Sequence, residues 1–193
     1  MYLVADPRCG LFVSGNRNQL ETLLSSIQVM ATDLSDVTSE KAAFQFLSRC
    51  VTVWAQPAMP VVTNGNAPSQ GLPGFEGFVY ERLVPSAFGV LSSPQFNIKD
   101  GQASLVGVPS IRMDIWLQQL TIRQVVHEIG NFLQVVSKTR GQEAFDFFAT
   151  IFLPSQGWTP QAALEFATKL RDLDGKAFRK YLGDCLRVSR AGP

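Results

Sequence analysis

The chain has 193 residues, 46% of them hydrophobic and 17% charged, with a net charge of +1. That composition supports a folded core and argues against disorder throughout. The near-zero charge gives no global field to draw in nucleic acid or membrane. The charge is nonetheless uneven: from Thr168 onward seven Lys or Arg face three Asp, whereas the first fifty-seven residues are slightly acidic. Any polyanion contact is therefore expected at the C-terminal end.

Cys9, Cys50 and Cys185 are scattered and lack C-x-x-C spacing. This argues against a disulfide framework or a zinc site and for a reducing compartment. Residues Met1 to Arg8 lack the basic n-region and apolar stretch of a signal peptide. No run of eighteen apolar residues is present, so no membrane span is expected. These features read as an intracellular, soluble protein.

In chain order, Asn18 to Ala31 carries Leu20, Leu23, Leu24, Ile27 and Met30 at helical spacing. Ser39 is the expected N-cap of a second helix with Ala43, Phe44, Phe46, Leu47, Cys50 and Trp54 inward, ended by Pro57. Residues 1–56 thus form an N-terminal helix pair. Residues 57–73, rich in Pro, Gly and Asn, read as a linker. From residue 74 helices resume with Phe75, Phe78, Val79, Leu83 and Phe88, and Pro85 is expected to kink the first of them. Ser93-Pro94 breaks the chain. Val125 to Lys138 has Val126, Ile129, Phe132, Leu133 and Val136 on one stripe. Gly141 to Leu153 follows, with Ala144, Phe145, Phe148, Ile151 and Phe152. After the loop Pro154-Ser-Gln-Gly, Thr159-Pro160 signals a helix start, with Ala163, Phe166, Leu170 and Leu173 inward. A last helix after Asp174-Gly175 carries Phe178, Tyr181, Leu182, Cys185 and Leu186.

Helix follows helix through short loops, with no convincing strand alternation. The expected fold is all-α, an α-solenoid of stacked antiparallel helix pairs of HEAT-like type. A compact helical bundle is the alternative. The pairs expected are Asn18–Ala31 with Ser39–Ala55, and Gly141–Leu153 with Pro160–Leu173.

Catalytic readings lack parts. His127 is the only histidine and sits on a helix face beside Val126 and Ile129, where a structural role is the ordinary one. No G-x-S-x-G, P-loop, G-x-G-x-x-G or H-E-x-x-H is present. No cofactor and no metal is expected, and the function is binding. Phe145, Phe147, Phe148 and Phe152 could form a base-stacking platform, but on an amphipathic helix they read mostly as core, with Phe147 off the stripe. The better candidates are basic: Lys138 and Arg140 where one helix ends, then Lys169, Arg171, Lys176, Arg179 and Lys180 around the next inter-helix turn. These seven are the candidate phosphate contacts. The ordinary explanations are complementation of helix C-termini and pairing with Asp172, Asp174 and Asp184 on a solvated face.

Three stretches carry a resemblance. They are Gly74-Phe-Glu-Gly-Phe-Val-Tyr-Glu; Phe96-Asn-Ile-Lys-Asp-Gly-Gln102; and Ser137-Lys-Thr-Arg-Gly-Gln-Glu-Ala-Phe-Asp-Phe-Phe with Phe166-Ala-Thr-Lys-Leu-Arg-Asp-Leu-Asp. Together they resemble the C-terminal end of exportin-T, the tRNA nuclear export receptors of the karyopherin-β class. The resemblance runs from about Phe75 to Arg190, and the first seventy residues fit less distinctively. It implies a HEAT-repeat fold and cooperative binding of mature tRNA and Ran-GTP in the nucleus. It also implies passage past nuclear pore proteins, release in the cytoplasm, and recognition of RNA shape and backbone. The N-terminal Ran-binding repeats of such a receptor do not fit in this chain, which is expected to be one piece of it. A HEAT-type scaffold binding a protein partner without tRNA is the alternative, and an enzyme using His127 is a remote third.

Residues 106–124 read as a translated intron. By the resemblance, Asp100-Gly-Gln-Ala-Ser-Leu should run straight into Val125-Val-His-Glu-Ile-Gly. Joined as Leu105–Val125, they make one amphipathic helix that Gly107-Val-Pro109 interrupts. Codons for Val106-Gly107, Leu120-Thr121 and Gln124 permit a donor, a branch point and a terminal CAG. The alternative is a family-specific loop. The intron reading expects poor packing here, with Trp116 partly exposed.

Overall fold

The structure is a computed structural model describing residues 16–33, 36–56, 71–93, 97–99, 102–104 and 112–188. For 17, 37, 97–99, 102–104, 112–123 and 186–188 it describes the backbone alone. The first helix, α1 (Arg17–Thr32), and the second, α2 (Val37–Trp54), pack as the expected pair. Leu24 and Ala31 of α1 and Ala43, Phe44, Leu47 and Val51 of α2 are buried in the core. The cap of α2 is Asp36 and not Ser39: its carboxylate accepts the backbone N–H groups of Thr38 and Ser39, both at 3.1 Å. An acidic side chain one position before the helix satisfies free donors and the positive helix end together.

The linker residues 57–70 lie outside the described set. The chain returns at Leu72, whose N–H donates to the Trp54 carbonyl at 2.8 Å. It then runs through α3 (Phe75–Phe78), a π segment at Val79–Leu83, and α4 (Val84–Ser92). Pro85 lies in the first turn of α4, and the residue before it, Val84, donates its N–H to Val79 O, five residues back. The expected kink is thus taken up by a widened turn.

The same device recurs later. After α5 (Arg112–Arg140) come α6 (Gln142–Asp146), a π segment at Phe147–Phe152, and α7 (Leu153–Ser155). Pro154 lies in the first turn of α7, and Leu153 N–H reaches Phe148 O, again five back. Proline has no N–H and collides with the carbonyl four residues before it. Both wide turns end at a proline that could not have continued a regular ladder. Pro154 and Ser155, expected in a loop, close this helix instead, and the turn is Gln156-Gly157.

Two longer helices follow: α8 (Pro160–Asp172), capped by Thr159 through the Ala162 N–H at 3.3 Å, and α9 (Gly175–Val188). The second expected pair forms, α8 lying along the Phe147–Phe152 segment. Phe88 knits the halves together, its ring centroid 4.9 Å from Phe152 and 5.8 Å from Phe166. Phe166 in turn meets Phe178 of α9 at 5.7 Å. Fully burying each such ring contributes roughly 1.5–3 kcal/mol.

The long α5 organises the rest. Its contacts with α2 run from the middle of both helices to their C-terminal ends, so the two lie parallel. Gln45 Nε2 donates to Glu128 Oε1 at 2.9 Å, the Phe44 and Phe132 rings meet at 5.9 Å, and Arg140 Nη1 donates to Ala55 O at 3.0 Å. The helix starts at Arg112, well before the expected Val125, so 112–124 is helical and continuous with the core-packing half. The side chain of Trp116 lies outside the described residues, as do 105–111.

The fold is all-α, built of successively packed helix pairs as in an α-solenoid. It carries one addition, a two-stranded antiparallel hairpin of β1 (Asn97–Lys99) and β2 (Gln102–Ser104), with Ile98 opposite Ala103. The sequence signal for it was Asp100-Gly101 between the strands, a two-residue hairpin dipeptide.

Candidate nucleic-acid interface

Five helix ends meet at one edge of the molecule. α5 finishes at Arg140 and Gly141 turns the chain into α6, using a φ of +57° that a side chain would resist. α8 returns antiparallel to α6, bringing the Arg171 guanidinium 4.7 Å over the Phe145 ring. The α8–α9 turn then folds against α5, where Gln134 Nε2 donates to Leu173 O at 2.9 Å. α9 starts there, and Asp174 accepts the Ala177 N–H at 2.8 Å. The C-termini of α2, α5 and α8 and the N-termini of α6 and α9 therefore converge. With them come Lys138, Arg140, Lys169, Arg171 and Lys176.

The seven sequence candidates divide sharply. Lys138, Lys176 and Lys180 are exposed, and Lys169 is half-buried. Arg171 is exposed but engaged: Nε meets Asp172 Oδ1 at 2.7 Å and Nη2 meets Oδ2 at 3.2 Å. These contacts lower the Asp172 carboxyl pKa. Arg179 is half-buried, donating from Nη1 to Asn131 Oδ1 at 2.8 Å. Its stem lies so close to Gly130 that a Cβ there would stand 2.9 Å from Arg179 Cγ.

Arg140 is a structural residue. Besides Ala55 O it binds Glu143, and its side chain is 10% exposed. Its Nε and the Tyr80 hydroxyl are both buried, neither within hydrogen-bond geometry of a partner. Burial, helped by the Glu143 charge, pushes the Tyr80 hydroxyl up to about 12. Arg140 therefore pins the end of α2 to the α5–α6 turn and is not free for a ligand.

Helix C-termini account for cations at Lys138, Lys169 and Arg171, which lie in the last turns of α5 and α8. They do not account for Lys176, which lies in the first turn of α9 where the helix end is itself positive. Among the described residues no group of acidic, His or Cys side chains could hold a metal ion, and no helix is long and apolar enough to cross a membrane.

The profile of the Exportin-T family matches residues 6–120. The chain belongs to the Exportin-T family. It is 49% identical over 189 residues to an Exportin-T of Laccaria bicolor, covering 97% of this chain and 16% of that protein. Against the Exportin-T of Coprinopsis cinerea the figures are 46% over 185 residues, 94% and 15%. Against that of Mycosarcoma maydis they are 35% over 183 residues, 94% and 14%. The chain thus spans about a sixth of the length of these Exportin-T relatives. No solved structure matches it. The profile takes in most of the first seventy residues, which fit the Exportin-T resemblance less distinctively on sequence motifs alone.

Proposed function

We propose that this chain is the part of a tRNA nuclear export receptor that grips the phosphate backbone of mature tRNA. In the full-length receptor that grip is cooperative with Ran-GTP, and the carrier shuttles from nucleus to cytoplasm through contacts with nuclear pore proteins. Family membership supplies the context. The observation that carries the reading is the convergence of exposed Lys138 and Lys176 with Lys169 at one edge, Lys176 in a position the helix dipole disfavours. Lys180 follows one turn along α9. Lysines on helix ends meet phosphates as point charges and read no base edges, which suits recognition of shape and backbone.

The test is a titration of tRNA across salt concentration with the chain and with Lys138→Glu, Lys169→Glu, Lys176→Glu and Lys180→Glu combined. Each phosphate contact contributes roughly 0.7–0.9 to the slope of log affinity against log salt. The combined variant should lose about three units of slope while keeping its helical spectrum. Unchanged affinity and slope would leave the lysines a solvated face.

A protein-binding scaffold is the second reading. It is favoured by α1, which exposes Leu23, Val29 and Met30, at 52%, 68% and 46%. A protein ligand would bind with little salt dependence and would be insensitive to the four lysine changes.

A further inference from the structure

Arg171 stands at the lysine edge without contributing much to its field. Its Nε and Nη2 lie against the two carboxylate oxygens of Asp172 at 2.7 and 3.2 Å, so its charge is matched locally. A phosphate approaching the guanidinium meets the carboxylate as well, and the attraction is largely cancelled. What the pair retains is a plane. The guanidinium carbon lies 4.7 Å from the Phe145 ring centroid, over the ring, and the Arg171 side chain is still 47% exposed. One face of the group is covered by Phe145 and one edge by Asp172. The exposed remainder is the opposite face and the Nη1 edge.

This combination occurs once among the candidate residues. Of the three candidate arginines, Arg140 is buried against Ala55 O and Glu143, and Arg179 is half-buried and bonded to Asn131. Of the four phenylalanines around Phe148, three belong to the core: Phe148 and Phe152 are buried, and Phe147 stacks on Phe152. Phe145 is half-buried, and it is the one with an exposed arginine over it.

We infer that the exposed face of the Arg171 guanidinium, backed by Phe145 and braced by Asp172, is a stacking platform for one unpaired nucleobase. RNA as the ligand rests on the reading of the lysine edge given above. Bases splayed out of single-stranded segments stack on arginine planes, and the contact accepts any base because each has a π face. Asp172 and Phe145 hold the side chain before the ligand arrives, so less conformational entropy is lost on binding than for a free arginine. Asp172 is thus a positioning residue. It directs Arg171 away from phosphate and toward a base.

The experiment compares two strands of equal length, a short oligoadenylate and an abasic ribose-phosphate chain, by fluorescence anisotropy across salt concentration. The chain should bind the oligoadenylate about tenfold more tightly, the scale of one stacked base, with the same salt slope for both strands. Arg171→Lys keeps the charge and removes the plane; it should bring the two affinities together and leave the slope unchanged. Phe145→Leu should reduce the preference in the same direction. Asp172→Asn should lose part of the preference and steepen the slope by roughly 0.7, because the freed guanidinium can then meet a phosphate. Circular dichroism checks that each variant keeps its helical spectrum. Equal affinity for the two strands, or a preference retained in Arg171→Lys, overturns the platform and leaves the phosphate grip standing. No binding of either strand overturns both.

Discussion

The Tyr80 and Phe147 rings lie 4.4 Å apart, tilted by 36°, and each sits at the beginning of a π segment. The two widened turns therefore touch through aromatic side chains. Phe147, off the apolar stripe of a regular helix, is brought inward and stacks on Phe152 at 5.6 Å and 18°. Truncation by Phe147→Ala is expected to cost about 3 kcal/mol of stability, the usual scale for an aromatic ring packed in a core. Urea denaturation measures it. Lost tRNA affinity at unchanged stability would instead assign the ring to base stacking.

Arg140 gives a sharper separation of structure from binding. Changing Arg140→Gln leaves the Ala55 carbonyl at the end of α2 without its charged donor. A loss of about 2 kcal/mol is expected from that unsatisfied group and the broken Glu143 contact. The salt slope of tRNA binding should stay as it is. A reduced slope with unchanged stability would return Arg140 to the binding set.

Glu40 predicts a pH dependence of folding. It is fully buried on α2, and neither carboxylate oxygen has a hydrogen-bond partner. Burial, with the Asp33 charge adding to it, pushes the carboxyl from 4.5 up to about 8. The folded state thus prefers the neutral acid. Its contribution is complete below pH 4.5 and is lost as pH rises from there to about 8, above which both states are ionised. The loss across that window is on the order of 5 kcal/mol. Glu40→Gln should flatten the fall in urea midpoint between pH 5 and pH 8; the same slope in both proteins would exclude Glu40 as its source.

For residues 106–124 the decisive material is the message. The major mature transcript is expected to join the codons of Leu105 and Val125. The protein lacking the nineteen residues should keep its cooperative unfolding, because the described core contacts of α5 begin at Val125. A major transcript that retains these codons establishes Arg112–Gln124 as a working half of α5.

The helices were legible because their apolar spacing is read the same way in a sequence and in a core. Leu24, Phe44, Ile129, Phe148 and Phe166 are all buried as that spacing requires. The π segments were not legible, since their spacing mimics an ordinary helix until the ladder is seen to close five residues back. At the candidate site, sequence places Lys138 and Lys176 near helix ends but cannot distinguish a free cation from a tethered one. Arg140 and Arg179 were indistinguishable from their neighbours until Ala55 O and Asn131 Oδ1 came within reach.

The paired π turns also bear on how this sequence tolerates insertion and deletion. A turn closed five residues back holds one residue more than the regular ladder beside it. A relative lacking a residue between Val79 and Leu83, or between Phe147 and Phe152, could close that turn regularly. Everything downstream would then keep its facing, because the widened turn already absorbs the extra residue, and Phe88 and Phe166 would stay in the seam they share. Single-residue gaps are therefore expected to be tolerated in these two segments, each independently, and not in the regular turns beside them, where one residue turns the helix by about 100°.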